Sequence, residues 1–229
     1  MNPEHTDRHY ETELKNLRER LLLMARRVEE IISHSIRSFV ECDQALAKKT
    51  IPLDNQINRD EIEIDELCLI IMARWQPLAT DLRFITLSLK MVTDLERIGD
   101  LAVNVCERVE KISSALPSDL SADISLMASQ AQSMLHQSIE AFIHHNTDIA
   151  QAVIDADDAV DELYWKITRS LLSCLIIDES TLRMNVLIQS VAKVVERMAD
   201  HSTNLAEQVI FFVRGTDVRH VGKLGKNKI

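Results

Sequence analysis

The sequence predicts an all-α protein made of two tandem three-helix bundles that are related by internal duplication. Three observations lead to this prediction. Aromatic residues make up only 4% of the 229 residues, so aliphatic and methionine side chains must fill the core, which favours packed helices over strands. Between the four prolines and four glycines, apolar residues recur at helical spacing. The predicted helices follow the order long, medium, long, and this order occurs twice.

The first bundle is predicted to occupy residues 1–115. Its first helix covers about residues 6–47, with room for breaks, because leucine, isoleucine and valine keep helical spacing there. A second helix fits about residues 52–75, since proline is tolerated in the first turn. A third fits about residues 79–113. The sequence "SSALPSDLSAD" that follows is predicted to be a linker.

The second bundle is predicted to occupy residues 116–214, with helices over about 120–145, 148–177 and 180–213. "DEST" before the last helix is a turn with a capping residue, and Gly215 is a C-cap signal after it. Residues 215–229 form a basic tail with four lysine or arginine side chains against Asp217. We expect this tail to be a frayed terminus that aids solubility, with contact to an acidic partner or a membrane surface as the alternative.

The duplication is clearest in "ERIGDLAVNVCE" (residues 96–107) and "ERMADHSTNLAE" (residues 196–207), which begin 100 residues apart. Five of the twelve aligned positions are identical. They are Glu96, Arg97, Asp100, Asn104 and Glu107 in the first copy, and Glu196, Arg197, Asp200, Asn204 and Glu207 in the second. At about 100° per residue the acids and the asparagine share one helix face, opposite the main apolar seam.

Helices joined by a short turn lie antiparallel, so the numbers of facing residues have a constant sum, about 154 in the first unit and about 357 in the second. The first sum places Asp54 opposite Asp100, and Asn58 opposite Glu96. The second sum places two further pairs opposite each other, Asp157 with Asp200 and Asp161 with Glu196. Each unit is therefore predicted to bring four oxygen-bearing side chains together.

Converging carboxylate and amide oxygens predict a site for hard cations, namely Mg²⁺, Mn²⁺, Ca²⁺ or iron rather than zinc or copper. Two alternatives stay open: a solvated helix face, and simple ion pairs with Arg97 and Arg197. A di-iron enzyme is disfavoured because the chain has no Glu-x-x-His pair. His201, beside Asp200, is expected to be a surface side chain.

Gly99 is the only glycine before Gly215, and its counterpart in the second copy is Ala199. Because alanine does not readily adopt a positive φ in a helix, a left-handed backbone is not required here. We predict instead that the small residue lets a neighbouring helix approach closely beside the acids.

Composition excludes several functions. A net charge of −10 opposes nucleic-acid binding. The polar N-terminus is not a signal peptide, no apolar run is long enough for a membrane span, and the four scattered cysteines predict reduced, buried thiols. We expect a cytoplasmic protein. Nucleophile–base motifs and glycine-rich phosphate loops are missing from the sequence, so no organic cofactor and no enzymatic activity are expected.

Two segments resemble the first and second halves of proteins of the PhoU family, which are bacterial phosphate-uptake regulators. They are "RWQPLATDLRFITLSLKMVTDLERIGDLAVNV" and "STLRMNVLIQSVAKVVERMADHSTNLAEQVIFFVRGTDVRHV". The resemblance spans essentially the whole chain. It implies two three-helix bundles, a homodimer, and metal clusters on E/D-xxx-D motifs. On that pattern the metal-binding residues are Glu96, Asp100, Glu196, Asp200, Asp54, Asp157 and Asp161, and the metal is Mg, Mn or Fe.

The resemblance also implies a cytoplasmic negative regulator. It would couple the phosphate ABC transporter to a membrane sensor histidine kinase, with membrane contact only through these partners. The second copy departs from the family pattern: it has Ala199 for glycine, Val194 where the first has Asp94, and no "QPxAxDLR" segment. The two metal sites are therefore expected to be unequal. A metal-dependent enzyme on a helical bundle and a purely structural helical adaptor remain the competing hypotheses.

Overall fold

A computed structural model of the chain describes residues 3–112, 115–173 and 178–215. This part of the chain forms seven α-helices and one 3-10 turn, and it contains no strand. The helices are α1 (Pro3–Val40), α2 (Gln44–Thr50), α3 (Asp54–Trp75), α4 (Ala79–Val109), α5 (Ser118–His144), α6 (Thr147–Ser173) and α7 (Glu179–Arg214), with the 3-10 turn at Ile51–Leu53. The predicted all-α fold is confirmed.

Local sequence signals set the helix ends. Asp43 and Asp178 cap α2 and α7 by accepting hydrogen bonds from the backbone N–H groups of Leu46 and Thr181. Helix α7 ends at Gly215, whose φ of +68° supplies the left-handed conformation of a C-cap. These capping groups satisfy backbone donors and acceptors that have no partner inside the helix.

The structure locates a break that the prediction for the first helix left open, and it corrects the end of the predicted linker. The first predicted helix is broken at residues 41–43, where Cys42 has a φ of +54°, so α2 is a separate short helix. The predicted linker ends early because α5 already begins at Ser118, directly after Pro117. Proline fixes the backbone just before the first turn, and the six residues that follow continue as helix. Residues 174–177, which were predicted to end the fifth helix, lie outside the described residues.

The helices pack as two three-helix bundles. The first contains α1, α3 and α4, and the second contains α5, α6 and α7. Helices α4 and α7 join the bundles as an antiparallel pair, with Arg108 near Ser190 at one end and Lys90 near Phe211 at the other. The core is mainly aliphatic and methionine side chains, as the low aromatic content predicts.

Each bundle keeps the predicted antiparallel register. In the second, the Gln189 side-chain amide donates a 3.1 Å hydrogen bond to Thr168 Oγ1, and the Lys193 ammonium lies 5.4 Å from the centre of the Tyr164 ring. In the first, Cys68 Sγ lies 4.0 Å from the carbonyl oxygen of Ile85. Since register decides which side chains meet, the acidic residues of α3 and α4, and of α6 and α7, are brought together. The described helices include none that is long and apolar enough to cross a membrane.

Candidate metal centres: two acidic patches

The first patch lies between α3 and α4 and consists of Asp54, Asn58, Glu61, Glu96 and Asp100. Gly99 sets the closeness of the two helices here. A Cβ atom at this position would lie 3.0 Å from Asp54 Oδ1 and 3.2 Å from Ile57 Cδ1. The prediction that Gly99 permits close approach is confirmed, because φ at Gly99 is not positive and the space beside it is filled by the facing helix.

Two oxygens of the first patch are buried without a partner. The Asn58 amide donates a 2.9 Å hydrogen bond to Asp54 Oδ2. Asp54 Oδ1 and Asn58 Oδ1 are shielded from solvent and accept no hydrogen bond. Buried acceptors are normally satisfied, so orphaned oxygens of this kind fit a site that a cation completes.

Electrostatics in the first patch oppose ionisation. Burial raises the pKa of Asp54, and the Asp100 carboxylate adds to that shift. Burial also raises the pKa of Glu96, with further contributions from Asp100 and Glu61. The pKa of Glu61 is raised by burial and by the neighbouring carboxylates of Asp65 and Asp100. Mutual repulsion of this kind is relieved when a cation binds.

Arg97 is the nearby cation of the first patch, but it stays on the surface. Its side chain is 58% exposed, and its guanidinium lies 3.6 Å from Glu96 and 3.9 Å from Asp100. Ion pairs of this length, made by an exposed guanidinium, contribute little stabilisation. The sequence hypothesis that Arg97 neutralises the acids is therefore only partly met. The repeat counterpart Arg197 has no carboxylate within 4.0 Å among the described residues.

The second patch lies between α6 and α7 and consists of Asp157, Asp161, Glu196 and Asp200. Burial raises the pKa of Asp157 to about 6, and the Asp200, Asp161 and Glu196 carboxylates add to the shift. The pKa values of Asp161 and Asp200 are raised too, by partial burial and then by Glu196. Glu196 Oε2 is buried without a hydrogen-bond partner. The structure thus brings together the four residues that the sequence grouped here.

The second patch contains a cation of its own. The Lys193 ammonium donates a hydrogen bond to Glu196 Oε1, and this bond is the main reason that the pKa of Lys193 is raised. The charge of Lys193 also opposes the upward pKa shifts of Asp161 and Asp200. Position 93, the counterpart in the first copy, is an exposed threonine.

His201 is not the surface side chain that the sequence predicted. Its side chain is only 20% exposed, and Nδ1 lies 2.8 Å from Asp94 Oδ1 on helix α4. The Gln208 amide donates a 2.9 Å hydrogen bond to the other oxygen of Asp94. The prediction failed because it considered His201 on one helix only, whereas α4 packs against that face of α7. Asp94 therefore ties the two bundles together.

Sequence reasoning missed Glu61, Asp65 and Lys193. The signal was present for the acids, because positions 54, 58, 61 and 65 follow one face of a helix. It was present for Lys193 as well, three residues before Glu196 and opposite Tyr164 in the same antiparallel register. The prediction rested on residues that match between the two copies and on the residues that face them across the helix pair, and these three are neither.

The donor set of both patches fits a hard cation, because every group is a carboxylate or amide oxygen and several are buried without partners. In the side-chain conformations described here, no three His, Cys, Asp or Glu groups converge closely enough to hold an ion. Binding would therefore require carboxylate side chains to rotate toward one another across the helix pair.

Comparison with known proteins gives consistent matches. A family model described as the PhoU domain matches residues 21–109 and again residues 124–209. A PhoU homologue from Pseudomonas aeruginosa, described as a phosphate-specific transport system accessory protein, is 36% identical over 95% of this chain and 90% of its own length. The Escherichia coli K12 protein with the corresponding description is 32% identical over the same shares.

Solved structures agree with these matches. The crystal structure of PhoU from P. aeruginosa superimposes with a TM-score of 0.84 and 35% identity, covering 90% of this chain and all of that chain. The phosphate transport system regulatory protein PhoU from Streptococcus pneumoniae has a TM-score of 0.83 at 23% identity, over 91% of this chain and 99% of that chain. The second comparison speaks to the fold alone.

Proposed function

This chain belongs to the PhoU family, and we propose that it is a cytoplasmic negative regulator of phosphate uptake and of the phosphate-starvation response. One observation carries the proposal: the family model matches both repeats, and relatives described as accessory proteins of the phosphate-specific transport system align along almost the whole chain. The regulator would damp expression of starvation genes when phosphate is plentiful.

We further propose that it acts by binding the phosphate ABC transporter and the sensor histidine kinase of the phosphate response, as a homodimer that meets the membrane only through these partners. The surface supports protein binding. Large apolar side chains are exposed near the interhelical turns of both bundles, with Leu78 80% exposed in the first and Leu172 82% exposed in the second. Exposed apolar groups that cluster with others mark interaction sites. Leu82 lies one helical turn after Leu78, and Leu182 and Val186 line the same groove as Leu172.

The test of regulation is deletion of the gene in its own host, followed by measurement of phosphate-starvation transcripts in phosphate-rich medium. We expect derepression that is reversed by the wild-type gene. Unchanged transcript levels would contradict the proposal. Purification of the tagged protein from detergent-solubilised membranes is expected to recover the transporter and the kinase, while a tagged, unrelated cytoplasmic protein is the control.

We also propose that the patches bind Mg²⁺, Mn²⁺ or iron through Glu96, Asp100, Glu196, Asp200, Asp54, Asp157 and Asp161. Bound metal would neutralise the mutual repulsion of the carboxylates and link the two helices of each patch. The support is the all-oxygen donor set with its unpartnered buried oxygens and raised pKa values. Metal analysis after purification without chelator should find less metal in an Asp100→Ala/Asp200→Ala double variant than in the wild type. Equal content would count against both sites.

The chain is proposed to be a regulator without enzymatic activity. A metal-dependent enzyme remains the competing function, since two carboxylate centres are present. It would be favoured by a turnover that the purified chain supports without partners and that Asp100→Ala abolishes while the far-ultraviolet circular dichroism spectrum is unchanged. A purely structural adaptor would instead complement the deletion with both patches inactivated.

A further inference from the structure

The two patches differ in the residue pair one turn before the glutamate that both copies share, Glu96 and Glu196. In the second patch Lys193 faces Tyr164, and its ammonium lies 5.4 Å from the centre of the aromatic ring. The same antiparallel register in the first patch places Thr93 opposite Glu61. The first patch therefore has an additional carboxylate where the second has an aromatic ring, and a neutral hydroxyl where the second has a cation.

The position of Lys193 is fixed by several contacts. The ammonium donates a hydrogen bond to Glu196 Oε1 while the side chain remains 49% exposed and Glu196 only 14% exposed. The hydroxyl of Tyr164 accepts a 2.9 Å hydrogen bond from the Gln189 amide, which holds the ring in place beneath the ammonium. A cation placed over an aromatic face and bonded to a carboxylate is held at that carboxylate.

From this arrangement we infer that Lys193 is a built-in counter-ion that weakens divalent-cation binding at the second patch relative to the first. The inference rests on the proposed metal binding and assigns the reason for unequal sites to one side chain. A bound dication next to Lys193 would be repelled by a fixed positive charge and would compete for Glu196. In the first patch, the charge of Arg97 also opposes the upward pKa shifts of Glu61 and Glu96. Its guanidinium lies 3.6 Å from Glu96 and 3.9 Å from Asp100 on a side chain that is 58% exposed, so solvent and salt screen its charge more than that of the hydrogen-bonded Lys193 ammonium.

Lys193 does not neutralise the second patch. The ammonium is hydrogen-bonded to Glu196 and opposes the upward pKa shifts of Asp161 and Asp200. Asp157 lies about two turns before Tyr164 on α6 and still faces the other carboxylates. Cation binding at the second patch is therefore weakened rather than abolished. Removal of Lys193 would leave four carboxylates without an internal cation, and the patch would then resemble the first in charge.

The test measures Mn²⁺ binding to the purified full-length chain by electron paramagnetic resonance of free Mn²⁺. Asp200→Asn leaves the first patch intact, and Asp100→Asn leaves the second. We expect the Asp100→Asn protein to bind Mn²⁺ about tenfold more weakly, or worse, than the Asp200→Asn protein, given the strength of charge–charge interactions near a protein surface. Adding Lys193→Met to Asp100→Asn should recover most of that difference.

The reverse exchange is the matched test. Thr93→Lys, combined with Asp200→Asn, places an ammonium opposite Glu61 and is expected to weaken Mn²⁺ binding at the first patch by a similar factor. Lys166→Met is the control, because Lys166 is an α6 lysine that pairs with Asp123 on α5 instead. It removes the same charge from the same bundle without touching the patch, so Mn²⁺ affinity should stay unchanged.

The outcomes separate the inference from the proposed function. No Mn²⁺ binding to the Asp200→Asn protein would contradict metal binding at the first patch. Equal Mn²⁺ affinity of the Asp100→Asn protein with and without Lys193→Met, including no binding by either, would overturn the role of Lys193. Circular dichroism of every variant verifies that altered binding does not arise from unfolding.

Discussion

The two acidic patches share a register but not a chemistry. Both place carboxylates of a medium helix against an E-xxx-D motif of a long helix, and in both burial raises the pKa of the aspartate at the start of the medium-helix motif. The first patch extends into Glu61 and is flanked by an exposed arginine, while the second ends at Tyr164 and contains Lys193. The duplication has thus kept the positions of the candidate site while the neighbouring charges diverged.

The largest expected effect concerns the glycine that only the first patch has. Gly99→Leu should lower the free energy of unfolding by about 3 kcal/mol, because a large side chain must displace Asp54 and Ile57 in a packed interface. Gly99→Ala should cost less than about 1 kcal/mol, since a single Cβ requires small shifts and alanine favours helix. Urea denaturation of both variants checks this. Equal midpoints would refute the close-packing explanation.

The second prediction concerns the contact that Asp94 makes between the two bundles, for which the second copy has no equivalent. Asp94→Ala should cost about 2 kcal/mol, because it leaves His201 and Gln208 without their shared acceptor. The repeat counterpart is Val194, which is buried, so the second copy offers no equivalent. Thermal denaturation is the measurement and Thr93→Ala the control, since that exposed hydroxyl bonds only to its own helix. A similar loss in both variants would mean that the cross-bundle contact is unimportant.

The internal repeat explains which features could be predicted from the sequence and which could not. Helix order and the facing pairs were predictable because turns and apolar spacing fix an antiparallel register. Asp100 and Asp200 were predictable because the same residue occurs at matching positions in the two copies. Lys193 and the buried position of His201 were not, since they depend on differences between the copies and on how α4 packs against α7.

The third prediction uses the pKa of Asp157, which is raised to about 6 in the folded protein. Without metal, the folded state holds this proton more tightly than the unfolded chain does. The free energy of unfolding therefore falls as pH rises from about 4 through about 6. Asp157→Asn should remove this loss and stabilise the chain by about 1 kcal/mol at neutral pH, after allowance for solvent screening.

The measurement for Asp157→Asn is thermal denaturation in excess chelator at several pH values. The gain over wild type should be near zero below pH 4 and reach its full size above pH 6. Asp54→Asn tests the first patch, where the pKa shift has the same sign. Glu66→Gln, on an exposed face of α3, controls for loss of a negative charge. A gain that is independent of pH would show that ionisation of Asp157 is not its source.

The smallest expected effect is the loss of stability on removing Arg97, the surface cation of the first patch, compared with Lys193 in the second. Arg97→Gln should change stability by less than about 0.5 kcal/mol, because its two ion pairs are 3.6 and 3.9 Å long and its own side chain is 58% exposed. Lys193→Gln should cost more in the absence of metal, since its hydrogen bond satisfies a mostly buried glutamate. Urea denaturation at low and high salt compares the two variants. If Arg97→Gln proved more destabilising than Lys193→Gln at both salt concentrations, the first patch would depend on its cation more than the second patch does, which is the reverse of what we expect.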